Sequence, residues 1–194
     1  MSALVKTAIL ISGGGSNMET LIKSTQTSGS AAEIVLVISN RPGAGGLEKA
    51  KNLGVKTQVI DHKTFKTREL FERDMDAALR AHNAQLVCNA GFMRILTPWF
   101  VKRWLGRQLN IHPSLLPKYK GLHTHARTLE AGETEHGCTV HWVSEDMDGG
   151  EIIDQASVPV LDTDTPETLA ARVLIEEHKL YPRILEQIAQ QIRA

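Results

Sequence analysis

Apolar residues fall into two rhythms along the chain. Thr7-Ala-Ile-Leu-Ile-Ser12 and Glu33-Ile-Val-Leu-Val-Ile-Ser39 are continuous apolar runs that stop at turn residues, the pattern of strands buried on both faces. Lys56-Thr-Gln-Val-Ile60, Gln85-Leu-Val-Cys-Asn-Ala90 and Gln108-Leu-Asn-Ile-His112 extend the series to five. Helical spacing occupies the stretches between them, over 17–26, 47–53, 68–82 and 98–104. In the third of these, Phe71, Met75, Ala78, Leu79 and His82 share one face. Strand and helix alternating at this spacing predict right-handed crossovers and a parallel sheet covered on both sides.

The last third changes character. Gly137-Cys-Thr-Val-His-Trp-Val143 and the run 151–160 flank Ser144-Glu-Asp-Met-Asp-Gly-Gly150, with no room for a helix, so they predict an antiparallel pair. Asp164-Thr-Pro-Glu167 supplies a cap, a first-turn proline and an acidic start for a long helix. Leu169, Val173, Leu180, Ile184, Ile188 and Ile192 would form its core-facing stripe, and Pro182 should kink it by removing an N–H donor. The expected architecture is a single α/β, Rossmann-like domain over 1–194. Its twisted sheet is mostly parallel, flanked by helices, with an antiparallel segment near the C-terminus.

Composition narrows the class. The chain has 194 residues, 22 Lys+Arg against 22 Asp+Glu, and 42% hydrophobic residues, enough for a full core without disulfides. Balanced charge argues against a nucleic-acid partner, which would need a basic excess. No apolar run approaches a membrane span, and Met1-Ser-Ala-Leu-Val-Lys6 lacks a signal peptide's apolar stretch. Two cysteines, Cys88 and Cys138, make no disulfide framework, so a cytoplasmic protein is expected.

In an open parallel sheet, ligands bind beyond the carboxyl ends of the strands. Ser12-Gly-Gly-Gly-Ser-Asn17 opens a helix directly after a strand, where converging backbone N–H groups suit an anion. The Walker ending Gly-Lys-Ser/Thr is missing, and the dinucleotide fingerprint fails at Met18 and at Ser39-Asn-Arg41. A phosphomonoester cradle and a merely tight turn remain.

Asn110 and His112 lie two apart on a strand, so they point to one side. An amide able to donate to an oxyanion beside an imidazole able to move a proton suits acyl transfer; a core histidine and a turn asparagine are the alternative. The 144–150 loop offers Glu145, Asp146 and Asp148, either as a solvated turn or as a source of one aspartate that orients His112. Arg94 sits among apolar neighbours in 91–96, a setting for a flat aromatic ligand with an acidic tail. Arg68 follows a threonine cap, the unfavourable end of a helix for a cation, which points to a ligand or to plain exposure. His123, His125, His136 and His141 look superficially like metal ligands, but their spacing is wrong for zinc and no metal is expected.

Several motifs together resemble the phosphoribosylglycinamide formyltransferases, a branch of the folate-dependent formyltransferase superfamily. They are Ile11-Ser-Gly-Gly-Gly-Ser-Asn17, Ala90-Gly-Phe-Met-Arg-Ile-Leu96, Leu109-Asn-Ile-His-Pro-Ser-Leu-Leu-Pro117 and Gly121-Leu-His-Thr-His125, continued by Leu129-Glu-Ala-Gly132, His136-Gly-Cys-Thr-Val-His141, Asp148-Gly-Gly150 and Glu176-Glu-His178. The resemblance runs from residue 8 to about 185. It implies formyl transfer from N10-formyltetrahydrofolate, a cosubstrate rather than a bound cofactor, to the amine of glycinamide ribonucleotide, in a monomer or homodimer.

The same resemblance implies catalytic roles for Asn110, His112 and Asp148. It places the ribonucleotide on Gly15, Ser16, Asn17, Leu174, Ile175, Glu176 and Glu177. The folate side falls to Arg68, Met93, Arg94, Ile95, Leu96, Asn110, Ser144, Glu145, Asp146, Met147 and Asp148. Residues up to about 100 would be mainly phosphate-binding, and those from about 101 catalytic and folate-binding. One departure stands out: relatives commonly carry a polar or basic side chain at position 174, and leucine cannot hold a phosphate. A formyltetrahydrofolate hydrolase and a non-catalytic nucleotide-binding module are the competing readings.

Overall fold

The computed structural model describes residues 3–194; Met1 and Ser2, part of the N-terminal segment discussed above, lie outside it. Five strands, β1 (Val5–Ile11), β2 (Ala32–Ser39), β3 (Thr57–Val59), β4 (Leu86–Asn89) and β5 (Gln108–His112), run parallel. Then β6 (Glu135–Trp142) and β7 (Ile152–Pro159) add on antiparallel, giving the order β3-β2-β1-β4-β5-β6-β7. This is the mixed sheet the apolar runs predict.

Alternation on β1 shows how two cores are made from one strand. Val5, Ile9 and Ile11 enter one cluster with α1 (Ser16–Thr25), α2 (Gly46–Asn52) and α6 (Pro166–Arg193). Ala8 and Leu10 enter the other, with α3 (Arg68–Ala81) and α4 (Pro98–Arg103). On β5 and β6 the same alternation leaves one face unfilled. Leu109, Ile111, Cys138 and Val140 join the α6 side, so Asn110 and His112 project to the opposite face, with His141 and Thr139 as their ladder partners. A polar surface inside the sheet is the consequence.

The long helix α6 begins with a capping box, Thr165 and Thr168 bonding each other's backbone N–H, and Pro166 in the first turn. It stays helical through Pro182. Its buried stripe ends earlier than the periodicity suggests: Ile188 is buried, whereas Ile192 is 42% exposed. Two elements have no apolar pattern to announce them, the short helix α5 (Thr124–Glu130) and a 3-10 turn at His62–Thr64.

Candidate active site

Register places the loops of interest at one rim. Leu10 pairs with Asn89, and Asn89 with Asn110, so the chain leaves β1, β4 and β5 from the same edge of the sheet. The strand order around β1 and β4 makes this the switch point of the fold, where ligands bind in open α/β sheets. Ser12 ties the rim together: its N–H donates to the Gly91 carbonyl (3.0 Å), its hydroxyl to Asn40 Oδ1 (2.6 Å), and it accepts from Met93 N (2.7 Å).

Beyond Ser12 the glycine loop turns into α1 through Gly15, whose φ of 68° is left-handed. A Cβ there would lie 3.0 Å from both Gly46 Cα and Met18 Cε, so only glycine fits. No side chain caps α1, which leaves first-turn N–H groups open toward the cleft. Asn17 Nδ2 donates to Glu177 Oε2 at 2.5 Å, while Asn17 Oδ1 is buried without a partner. Burial pushes the Glu177 carboxyl above the usual carboxylate range, against the smaller opposing pull of the Asn17 bond. Of the four expected residues on α6, Glu177 is the one bonded to the loop. Leu174 is half-buried, Ile175 is exposed, and Glu176 pairs with Lys179.

At the end of β5 four polar side chains meet. His112 Nε2 lies 3.0 Å from the Tyr119 carbonyl, which can only accept, so this nitrogen holds a proton. Nδ1 is therefore the nitrogen free for chemistry, and it faces Asp148 Oδ2 at 3.4 Å. Asp148 is itself held by the Gly121 N–H, at 2.9 Å.

His141 completes the group. Its Nδ1 donates to the Trp142 carbonyl (2.9 Å), so its Nε2 accepts from Asn110 Nδ2 (3.1 Å). Burial holds this imidazole below its ordinary range, a shift opposed by the Trp142 carbonyl and Asp148, and neutral is the form that can accept. Of the four histidines compared with metal ligands, His141 is the one bonded to Asn110. Its signal in the sequence is the alternation of Thr139 and His141 with apolar Cys138 and Val140, a polar face in a strand that is otherwise core.

The segment after His112 is braced from below. Thr139 Oγ1 donates to the Ser114 carbonyl and accepts from Leu116 N and Gln155 Nε2. The Leu116–Pro117 peptide is cis.

The expected folate residues form an apolar lip rather than a polar cluster. Met93, Ile95 and Met147 are more than half exposed, whereas Phe92 and Leu96 pack against the α3–α4 core. Arg94 is half-buried, and its Nε is enclosed without an acceptor. In the 144–150 loop, Ser144 closes a turn onto the Asp146 carbonyl, and Glu145 pairs with Lys102 at 3.5 Å. Arg68 stands apart: it is exposed in the first turn of α3, and no bond links it to Asn110, His112 or Asp148.

A family model described as formyl transferase matches residues 5–185. The chain belongs to the formyl transferase family. Among the relatives of this chain is the phosphoribosylglycinamide formyltransferase of Escherichia coli (strain K12), 44% identical over 93% of this chain and 85% of that protein. The trifunctional purine biosynthetic protein adenosine-3 of Bos taurus is 50% identical over 95% of this chain, which spans only 18% of that longer protein. The crystal structure of phosphoribosylglycinamide formyltransferase from Brucella melitensis is similar at a TM-score of 0.93 and 52% identity, covering 96% of both chains.

Proposed function

We propose that this formyl transferase moves the formyl group of N10-formyltetrahydrofolate to the amine of glycinamide ribonucleotide, a step of purine biosynthesis. The observation that carries the reading is the juxtaposition of Asn110 and His112, on a polar face of the sheet, with Asp148 from the 144–150 loop, at the same rim as the glycine loop. The phosphate rests on residues 15–17, with Glu177 reaching in from α6 toward the glycinamide end. The folate lies along residues 93–96 and 144–148, its formyl carbon presented to Asn110, and Arg94 Nε finds in it the acceptor it lacks. Formylfolate is consumed at each turnover and needs no resident cofactor.

The amine nitrogen attacks the formyl carbon, and the carbonyl oxygen becomes an oxyanion. Asn110 has two side-chain N–H groups; His141 takes one, which aims the other at that oxygen. His112 Nδ1, the ring nitrogen not engaged by the Tyr119 carbonyl, is the atom that passes a proton between the attacking amine and N10, and Asp148 holds the imidazole in register. As the new C–N bond forms and the bond to N10 breaks, the amine loses one proton and N10 gains one, so no net proton is required.

A single assay separates this from the hydrolase. Formylfolate is incubated with and without glycinamide ribonucleotide while folate absorbance is followed. Turnover that depends on the amine is expected; formate release without it would assign the chain to hydrolysis. A pure binding module would show neither.

A further inference from the structure

The glycine loop faces a second wall made by another part of the chain. A cavity of about 370 Å³ is bounded by residues 12–17 on one side and by Arg41, from the turn after β2, and Lys49, from α2, on the other. We propose that Arg41 and Lys49 form a cationic clamp on the phosphate of the ribonucleotide; this rests on the function proposed above and adds to it the source of the missing charge.

Charge arithmetic motivates the clamp. A phosphomonoester carries about −1.5 to −2 near neutral pH, whereas the start of a helix offers roughly +0.5. The long helix α6 adds no cation here. It brings Glu177, a carboxyl, to Asn17, and Leu174 lies one turn earlier on that helix. Glu19 in the first turn of α1 adds another carboxylate, bonded to Lys23 at 2.7 Å and Lys49 at 3.3 Å. Something else must offset more than one unit of negative charge, and Arg41 and Lys49 are the two cations that line the cavity.

Arg41 is available for the task. Among the described residues no carboxylate pairs with it, and its side chain is exposed. Its backbone is nevertheless fixed: Ser39 Oγ donates to the Arg41 carbonyl (2.8 Å) and accepts from Arg41 N (3.1 Å). Buried Asn40, just before it, receives the Ser12 hydroxyl. The guanidinium therefore swings from an anchored stem beside the loop and can bind a phosphate through two parallel N–H groups.

Close packing keeps the two walls together. Gly46 N donates to the Gly13 carbonyl at 3.0 Å, and a Cβ on Gly46 would come within 2.7 Å of Ile11 Cδ1 and 3.2 Å of Gly15 Cα. A side chain at this position would crowd Ile11 and the backbone of the glycine loop, so glycine lets α2, and Lys49 with it, sit close to the loop. Because Lys49 is shared with Glu19, its part in the clamp is the smaller one.

The test compares glycinamide ribonucleotide with its dephosphorylated riboside as acceptors in steady-state kinetics of the full chain. In Arg41→Ala, the preference for the phosphorylated acceptor should fall by about tenfold or more. Lys49→Met should lower it by a few-fold, and Arg41→Lys should restore much of it. An unchanged preference in Arg41→Ala, or equal losses on both acceptors, overturns the clamp. Inorganic phosphate, titrated by 31P NMR, reads the clamp without turnover: wild-type binding that Arg41→Ala weakens supports it even if no formyl transfer is detected, an outcome that would defeat the functional reading alone. Equal phosphate binding by both proteins overturns it.

Discussion

Asn110 and Asp148 separate two kinds of contribution at the level of single residues. Asn110→Ala removes the N–H aimed at the oxyanion, and losses of such donors amount to about 2.7–4 kcal/mol, or 10²–10³ in kcat. Turnover should fall by that order with little change in either KM; a defect confined to KM would mean that Asn110 binds rather than stabilises charge. His141 acts through Asn110. His141→Phe keeps the ring volume but deletes the acceptor, so kcat should fall by about tenfold, and His141→Gln, which keeps an acceptor, should recover part of it. If both variants lose activity alike, the ring matters as packing and the Asn110 bond does not. Arg94→Ala should raise the KM for formylfolate by about tenfold while sparing that of the acceptor; the reverse would exchange the two half-sites. Asn110 and His112 were legible as a pair because strand alternation alone puts them on one side. For His141 the alternation in β6 marks a polar face, but its bond to Asn110 was not legible, because that pairing depends on the β5–β6 register between segments 31 residues apart.

At the level of elements, whatever has a strong period was readable and whatever is built from turns was not. The apolar runs at 7–12 and 33–39 became β1 and β2, and the capped, proline-led start at 165–166 became the start of α6. Neither α5 nor the brace under residues 113–117 could be foreseen. The first has seven residues entered through a left-handed His123, and the second is made by the Thr139 hydroxyl and the Gln155 amide, which reach the segment from β6 and β7. That hydroxyl gives a clean test. Thr139→Val is nearly isosteric, yet it leaves Leu116 N without its acceptor and deprives Gln155 Nε2 of one of two. Unpaired buried groups of this kind cost about 1–3 kcal/mol. Denaturant unfolding should register that loss, and kcat should fall further than stability does, because His112 leads directly into the braced segment. A variant as stable and as active as the parent would show that the brace positions nothing.

For the molecule as a whole, buried histidines set how stability responds to acid. His125 Nδ1 meets His136 Nε2 at 3.0 Å, and His136 Nδ1 meets the Thr128 hydroxyl at 3.0 Å. Burial, reinforced by the neighbouring His125 and His112, pushes His136 down to about 4, and burial lowers His125 and His141 as well. An unfolded histidine titrates near 6.5. Between those values the unfolded chain binds the proton that the native His136 refuses, so stability must fall as pH drops through 6.5 toward 4. From pH 7.5 to 5.0 this one residue should remove about 2 kcal/mol, taking ~1.5 pH units below 6.5 at 1.36 kcal/mol each. Glu72 and Glu177 act in the opposite sense: burial raises both carboxyls, so the native state takes up protons there before the unfolded chain does. The net slope is therefore a difference, and the share of His136 has to be read by substitution. Unfolding free energies of the wild type and His136→Gln, measured at pH 7.5 and 5.0, isolate it, because any packing cost of the glutamine is the same at both pH values and cancels. The variant should lose about 2 kcal/mol less than the wild type over that interval. An equal loss in the two proteins would show that His136 takes up its proton in the native state as readily as in the unfolded chain.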